Sequence, residues 1–212
     1  LKSLHASWVS LTRLPENLGK GGAVMAGLRE AKARGFSHAL QIDADGQHDT
    51  SDIPRLLAEA ALDPAAVICG APIFDKSAPS ARLLGRLATR LWIWINTLSL
   101  GIKDAMCGFR VYPLLSAVAL MDEVRLGTRM DFDPEILVRL SWKGLRIVNV
   151  PTKVSYPTDG RSHFRLFEDN WLISRMHARL FFGMLFRSPL LLWRKCRPNT
   201  GPIWPKSAQP GA

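Results

Sequence analysis

Apolar residues run without interruption from 65 to 73 (AAVICGAPI), and a shorter run through Ala39, Leu40 and Ile42 stops abruptly at Asp43, Asp45, Gln47, His48 and Asp49. Continuous apolar runs of this length are the mark of strands covered on both faces. Elsewhere the period changes. Val24, Leu28 and Ala31 recur at helical spacing within 23 to 34, with Gly35 placed as a C-cap. A second helix is predicted over 51 to 62, with Thr50 or Ser51 as N-cap and Pro54 in the first turn. Helices are also predicted at 80 to 98, 114 to 121 and 134 to 143, and strands at 8 to 14, 38 to 42, 65 to 73 and 107 to 113. Residues 145 to 156 read as one or two strands broken at Pro151. Strands and helices mostly alternate, which predicts a three-layer α/β/α domain with a parallel sheet.

Composition narrows the partners. The 212 residues, 47% of them hydrophobic, suffice for one buried core. The 28 basic and 18 acidic residues leave a formal charge of +10, which favours an anionic partner: nucleic acid, an acidic membrane or a phosphorylated substrate. Three widely spaced cysteines, Cys69, Cys107 and Cys196, suggest neither a disulfide framework nor a zinc site and fit a reducing compartment. Arg or Lys interrupts each apolar stretch before it reaches the length of a spanning helix. The Pro-, Gly- and Ser-rich tail, 198 to 212, is expected to be disordered.

The acidic loop carries the first candidate chemistry. Asp43 closes a strand, and ligands of open α/β sheets bind beyond the carboxyl ends of strands. Asp43, Asp45 and Gln47 stand at the mouth of such a crevice, and the two carboxylates, at i and i+2 beside Gly46, suit Mg²⁺ or Mn²⁺ with positions left for diphosphate oxygens. Solvated surface carboxylates are the alternative. Asn17, Gly19, Lys20, Gly21 and Gly22 precede a helix, where free N–H groups and the helix dipole favour an anion; a sharp Gly-rich turn is the alternative. His38 and His48 are assigned structural or hydrogen-bonded roles.

NLGKGGAVMAGLREA, DADGQH, DAMCGFRVY, DFDPEILVRL and GRSHF occur in that order. Together they resemble family 2 glycosyltransferases of the GT-A fold, in the dolichyl-phosphate mannosyltransferase-like branch. The resemblance spans roughly 8 to 165 and implies a nucleotide-diphospho-sugar transferase domain at 1 to 165. It also implies a missing first strand, the one that usually carries a PxYN-like segment at the nucleotide base. It makes Asp43, Asp45 and Gln47 the metal set, with Asp43 also near the nucleotide. Asn17, Gly19, Lys20, Arg110, Arg161, Ser162 and His163 are then donor-side residues, with His163 weakening as pH rises through its titration range. Asp104 becomes the candidate general base at the acceptor end, where Arg110 balances it or holds a phosphate; a structural Asp104–Arg110 salt bridge is the alternative. Asp133 and Glu135 become an acceptor-side carboxylate pair, although Asp131, Asp133 and Glu135 also suit a helix start for dipole reasons alone.

The implied reaction is inverting, metal-dependent transfer from a UDP- or GDP-sugar to a lipid phosphate, glycolipid or other amphiphilic acceptor, at the cytoplasmic face of the cell membrane. The basic amphipathic segment 166 to 197 is read either as a peripheral membrane helix or as a helix packed on the core. The competing function is a non-catalytic nucleotide- and membrane-binding module. Nucleic acid is not expected as a partner, because charge is the only feature that suggests it.

Overall fold

The computed structural model describes residues 8 to 74, 80 to 155 and 165 to 196. In chain order it contains helix α1 (Gly19–Ala33), strand β1 (His38–Gln41), a 3-10 turn (Thr50–Asp52) running into α2 (Ile53–Leu62), β2 (Val67–Phe74) and α3 (Ser80–Thr97). There follow β3 (Arg110–Pro113), α4 (Leu114–Glu123), α5 (Phe132–Trp142), β4 (Ile147–Val154) and α6 (Leu166–Cys196).

The sheet order is β1-β3-β2-β4. β2 and β4 are parallel, but β3 runs antiparallel to both of its neighbours, so the sheet is mixed and not all-parallel as the apolar runs suggested. An apolar run records burial on two faces and carries no information on direction. The alternation within β2 shows that burial: Ile68 joins a core with Leu56, Ala60, Phe109 and Val150 under α2. Val67 and Cys69 face the larger core built with Leu28, Tyr112, Leu120, Ile136 and Leu180. Pro151 does not break β4, which is an edge strand where a missing N–H is tolerated.

Two further expectations change. Residues 8 to 14 contain no strand; they pair with no sheet edge and are tethered to α1 by Arg34, which donates to Ser10 Oγ at 2.9 Å. The Gly-rich stretch does not precede α1 but forms its first turn. A Cβ on Gly21 would fall 2.4 Å from Phe132 Cβ, and Gly22 N donates to Thr128 O at 3.0 Å. Close approach of α1 to α5 therefore requires the small side chain.

α6 packs one face on the core through Ile173, Met176, Leu180, Met184 and Leu191, and turns Trp171, Phe182, Phe186 and Trp193 outward. It therefore joins the domain and still shows apolar surface. Among the described residues no helix is long and apolar enough to cross a membrane. The α3–α6 seam buries a polar pair: His177 Nδ1 lies 3.2 Å from Asn96 Nδ2, and the imidazole stacks on Trp92. Burial pushes the His177 pKa down to about 4.

A depressed histidine pKa gives stability that is complete above the unfolded value near 6.5 and is lost as pH falls towards 4. Thermal or urea unfolding of the wild type should lose roughly 2 kcal/mol more between pH 7 and 4.5 than a His177→Gln variant. Equal losses in both chains would refute this role for the imidazole.

Candidate active site

The antiparallel course of β3 assembles the site. Its first residue, Arg110, pairs in register with Gln41 of β1 and Cys69 of β2. The loop before it, 104 to 109, is thereby delivered to the carboxyl ends of β1, β2 and β4, beside the acidic loop that leaves β1. The two loops touch closely: a Cβ on Gly108 would lie 2.3 Å from Asp43 Oδ2, so Asp43 occupies space that only glycine leaves open.

The acidic loop is held on several sides. Asp45 Oδ1 accepts from Gln47 N at 3.1 Å across Gly46, whose φ of +72° a side chain would disfavour. Gln47 O accepts from Ser155 N at 3.1 Å, and His48 bridges to Val154, pinning the loop to β4. Asp49 caps the 3-10 turn through Ser51 N. His48 packs on Phe109 with ring centroids 5.2 Å apart. Burial holds its pKa below the usual value, although Asp43 and Asp45 pull the other way.

Behind this loop lies a buried charge cluster. Lys20 Nζ is 2.7 Å from Asp43 Oδ2 and 2.7 Å from Asp133 Oδ2. Asp133 is 2% exposed; its Oδ1 accepts from Gln41 Nε2 at 3.3 Å and lies 3.7 Å from Arg110 Nη1, while Oδ2 faces Lys20. Arg110, fully buried, also donates to Asp133 O at 2.8 Å, Tyr112 Oη at 3.1 Å and Ala105 O at 2.6 Å. Burial opposes the charge on Lys20, but Asp133 and Asp43 outweigh it and raise its pKa.

Asp104 stands at the other end of the 104 to 109 loop. Its Oδ1 accepts from Met106 N and Cys107 N at 2.8 Å each, and Arg86 Nη1 of α3 lies 2.7 Å from Oδ2. The expected Asp104–Arg110 partnership is thus replaced, and with it the donor-side role of Arg110: fully buried, Arg110 turns inward to Asp133, and α3 supplies the cation for Asp104. Arg86, Arg90, Lys103 and Asp104 share an open groove of about 600 Å³ with Leu87 and Trp94.

The structure brings together Lys20, Asp43, Asp133 and Arg110, with Asp45 and Gln47 on the adjoining loop. It separates Glu135 from them. Positions two apart on a helix point about 200° away from each other, and Glu135 turns to Arg139 at 2.8 Å, Arg179 at 2.7 Å and Gly127 N at 2.9 Å. The carboxylate pair expected at the acceptor is therefore split, and Glu135 ties α5 to α6. Asn17 accepts from Gly19 N at 2.9 Å, a local bond at the start of α1. Arg161, Ser162 and His163 lie outside the described residues. Sequence reading passed over Gln41, Gly108, Arg86 and Arg90; the i, i+4 spacing of the two arginines was a usable sign of a shared helix face.

Residues 4–112 match the family model described as Glycosyl transferase family 2. The chain belongs to this family. Among curated relatives, the family 2 chain is 29% identical over 140 residues to the undecaprenyl-phosphate mannosyltransferase of Micrococcus luteus, covering 63% of this chain and 55% of that protein. It is also 29% identical over 148 residues to the UDP-N-acetylglucosamine–dolichyl-phosphate N-acetylglucosaminyltransferase of Methanococcus voltae, covering 66% and 57%. A third relative, the dolichyl-phosphate beta-glucosyltransferase of Dictyostelium discoideum, is 29% identical over 140 residues, covering 62% and 42%. The family 2 chain thus spans about half the length of the curated relatives it matches. Its fold is that of glucosyl-3-phosphoglycerate synthase from Mycobacterium tuberculosis, solved with Mn²⁺ and UDP-glucose: TM-score 0.52, 14% identity, 81% of this chain and 56% of the other. This establishes the GT-A fold expected from the sequence.

The matched segment holds Lys20, Asp43, Asp45, Gln47, Asp104 and Arg110, whereas Asp133 lies beyond it. Arg110→Met would leave the buried Asp133 short of a counter-charge, and breaking buried pairs is strongly destabilising. A loss of about 3 kcal/mol in urea unfolding is expected; a change below about 0.5 kcal/mol, the usual scale of surface substitutions, would contradict the account of this cluster.

Proposed function

We propose that this domain transfers a sugar, with inversion, from a UDP- or GDP-sugar to a polyprenyl phosphate or another amphiphilic lipid acceptor, using Mg²⁺ or Mn²⁺. The observation that carries the reading is the junction at Gly108, where the acidic loop of Asp43 meets the loop of Asp104 and the basic, apolar groove of α3. The curated relatives are named for polyprenyl-phosphate acceptors, and the solved neighbour holds Mn²⁺ with UDP-glucose.

The residues present fit a divalent ion. No group of three or more His, Cys, Asp or Glu among the described residues is arranged to hold a metal alone. Two carboxylates and an amide oxygen, from Asp43, Asp45 and Gln47, suit a hard ion that completes its shell with diphosphate oxygens and water. The Gly108 cradle keeps the Asp43 carboxylate in place for that role. When bound, such an ion neutralises charge on the departing nucleotide diphosphate.

The remaining roles belong to side chains of this chain. Lys20 offers an ammonium to the donor diphosphate, and Arg161, Ser162 and His163 are assigned to the same phosphates. Arg86 and Arg90 suit an acceptor phosphate, while Leu87 and Trp94 suit the start of its hydrocarbon chain. Asp104, held by two backbone N–H groups and Arg86, orients the acceptor and is not required to deprotonate it: a phosphate with a second pKa near 6 is already largely anionic at neutral pH. Asp133 acts through Lys20 and Arg110 as a positioning residue. The outward aromatic residues of α6, with the exposed Arg175 on the same helix, suit peripheral contact with the cytoplasmic face of the membrane.

Calorimetric titration with UDP and GDP, with and without Mn²⁺, tests the donor site. One nucleotide should bind only with the ion, and Asp45→Ala should weaken it tenfold or more. In transfer assays with polyprenyl phosphate in anionic vesicles, Arg86→Ala should raise the acceptor KM about tenfold and leave the donor KM unchanged. Metal-dependent binding with no transfer would favour the binding-module alternative; no nucleotide binding would overturn the donor site.

A further inference from the structure

On the donor-site reading, an incoming divalent ion needs the oxygens of Asp43. One of them, Oδ2, already lies 2.7 Å from the Lys20 ammonium. Two cations at contact distance from one carboxylate oxygen repel strongly, so an ion that takes Oδ2, alone or with the other oxygen, moves Lys20 off Asp43.

The two carboxylates that hold Lys20 are not equivalent. Asp133 is buried and braced by Gln41 and Arg110, and it anchors the ammonium at 2.7 Å. The Asp43 side chain is 24% exposed and sits at the rim, over Gly108. Lys20 itself is neither free nor fully enclosed, at 22% side-chain exposure. An ammonium has three donors and a flexible four-carbon stem. It can therefore keep its bond to Asp133 while exchanging Asp43 for another anion a short distance away. The anion that the donor would bring to this place is its diphosphate.

We propose that Lys20 is a built-in counter-cation that competes with the divalent ion for Asp43 and, still tethered to Asp133, passes to the donor diphosphate when the ion and donor bind together. The inference rests on the donor-site reading and adds a binding order to it. The ion alone binds weakly because displacing Lys20 costs its ion pair with Asp43. The nucleotide diphosphate relieves that penalty, so ion and nucleotide strengthen each other's binding by the same factor.

The test measures Mn²⁺ binding by electron paramagnetic resonance of the free aqueous ion, for the full chain and for Lys20→Met and Lys20→Gln. Each is measured without nucleotide and with saturating UDP or GDP. The glutamine variant keeps a polar group should methionine fold poorly. Without nucleotide, both variants should bind Mn²⁺ about tenfold more tightly than the wild type. With nucleotide, the wild-type affinity for Mn²⁺ should rise tenfold or more and that of the variants far less. If the wild type shows coupled Mn²⁺ and nucleotide binding but the variants bind Mn²⁺ alone no more tightly, or keep the full coupling, the competition is refuted and the donor site stands. If no chain binds Mn²⁺ with nucleotide, the donor site falls and this inference falls with it.

Discussion

The architecture of the site depends on one buried carboxylate. Asp133, at the start of α5, faces Lys20 of α1, Gln41 of β1 and Arg110 of β3, and so joins the three segments whose ends form the cleft. Burying a charge is unfavourable unless it is paired and hydrogen-bonded. Here the pairing is distributed. Arg110 binds both the side chain and the backbone carbonyl of Asp133, and Lys20 carries the remaining charge towards Asp43 at the surface. The elements are therefore held in one relative position by a requirement that none of them can meet alone.

The second constraint is steric and concerns glycine. Gly21 permits α1 to meet Phe132 of α5, which places Lys20 within reach of Asp133. Gly108 permits the loop before β3 to meet Asp43, which places the groove of Asp104 and Arg86 beside the acidic loop. In both places a small residue allows two charged groups from distant parts of the chain to approach. Family membership then agrees with the residues so assembled, since all but Asp133 of the central cluster lie within the matched segment.

Much of this was legible in the sequence, for identifiable reasons. The apolar run of β2 and the amphipathic periods of α2 and α3 are local signals, and the elements appear where they indicated. The position of Asp43, Asp45 and Gln47 in the loop after β1 was legible because the apolar run before them fixes the end of a strand. The direction of β3 was not legible, because hydrophobic pattern has no polarity. Strand 8 to 14 failed because β-propensity does not supply a neighbour. The Asp104–Arg110 pairing failed because proximity in sequence cannot show that Arg110 turns inward, while Arg86 arrives from a helix that sequence order leaves unplaced. Asp133 and Glu135 looked alike as letters; the phase of α5 sends one to the cleft and the other to α6.

The central claim is that Lys20 and Asp133 act as one unit joining α1 to α5 beneath the cleft. A double-mutant cycle in urea unfolding, with Lys20→Met, Asp133→Asn and the double variant, measures it most directly. The account requires the two substitutions to be non-additive by about 1 kcal/mol or more, within the range found for contacting partners. Additivity within about 0.3 kcal/mol would mean that the two side chains do not hold the cleft together.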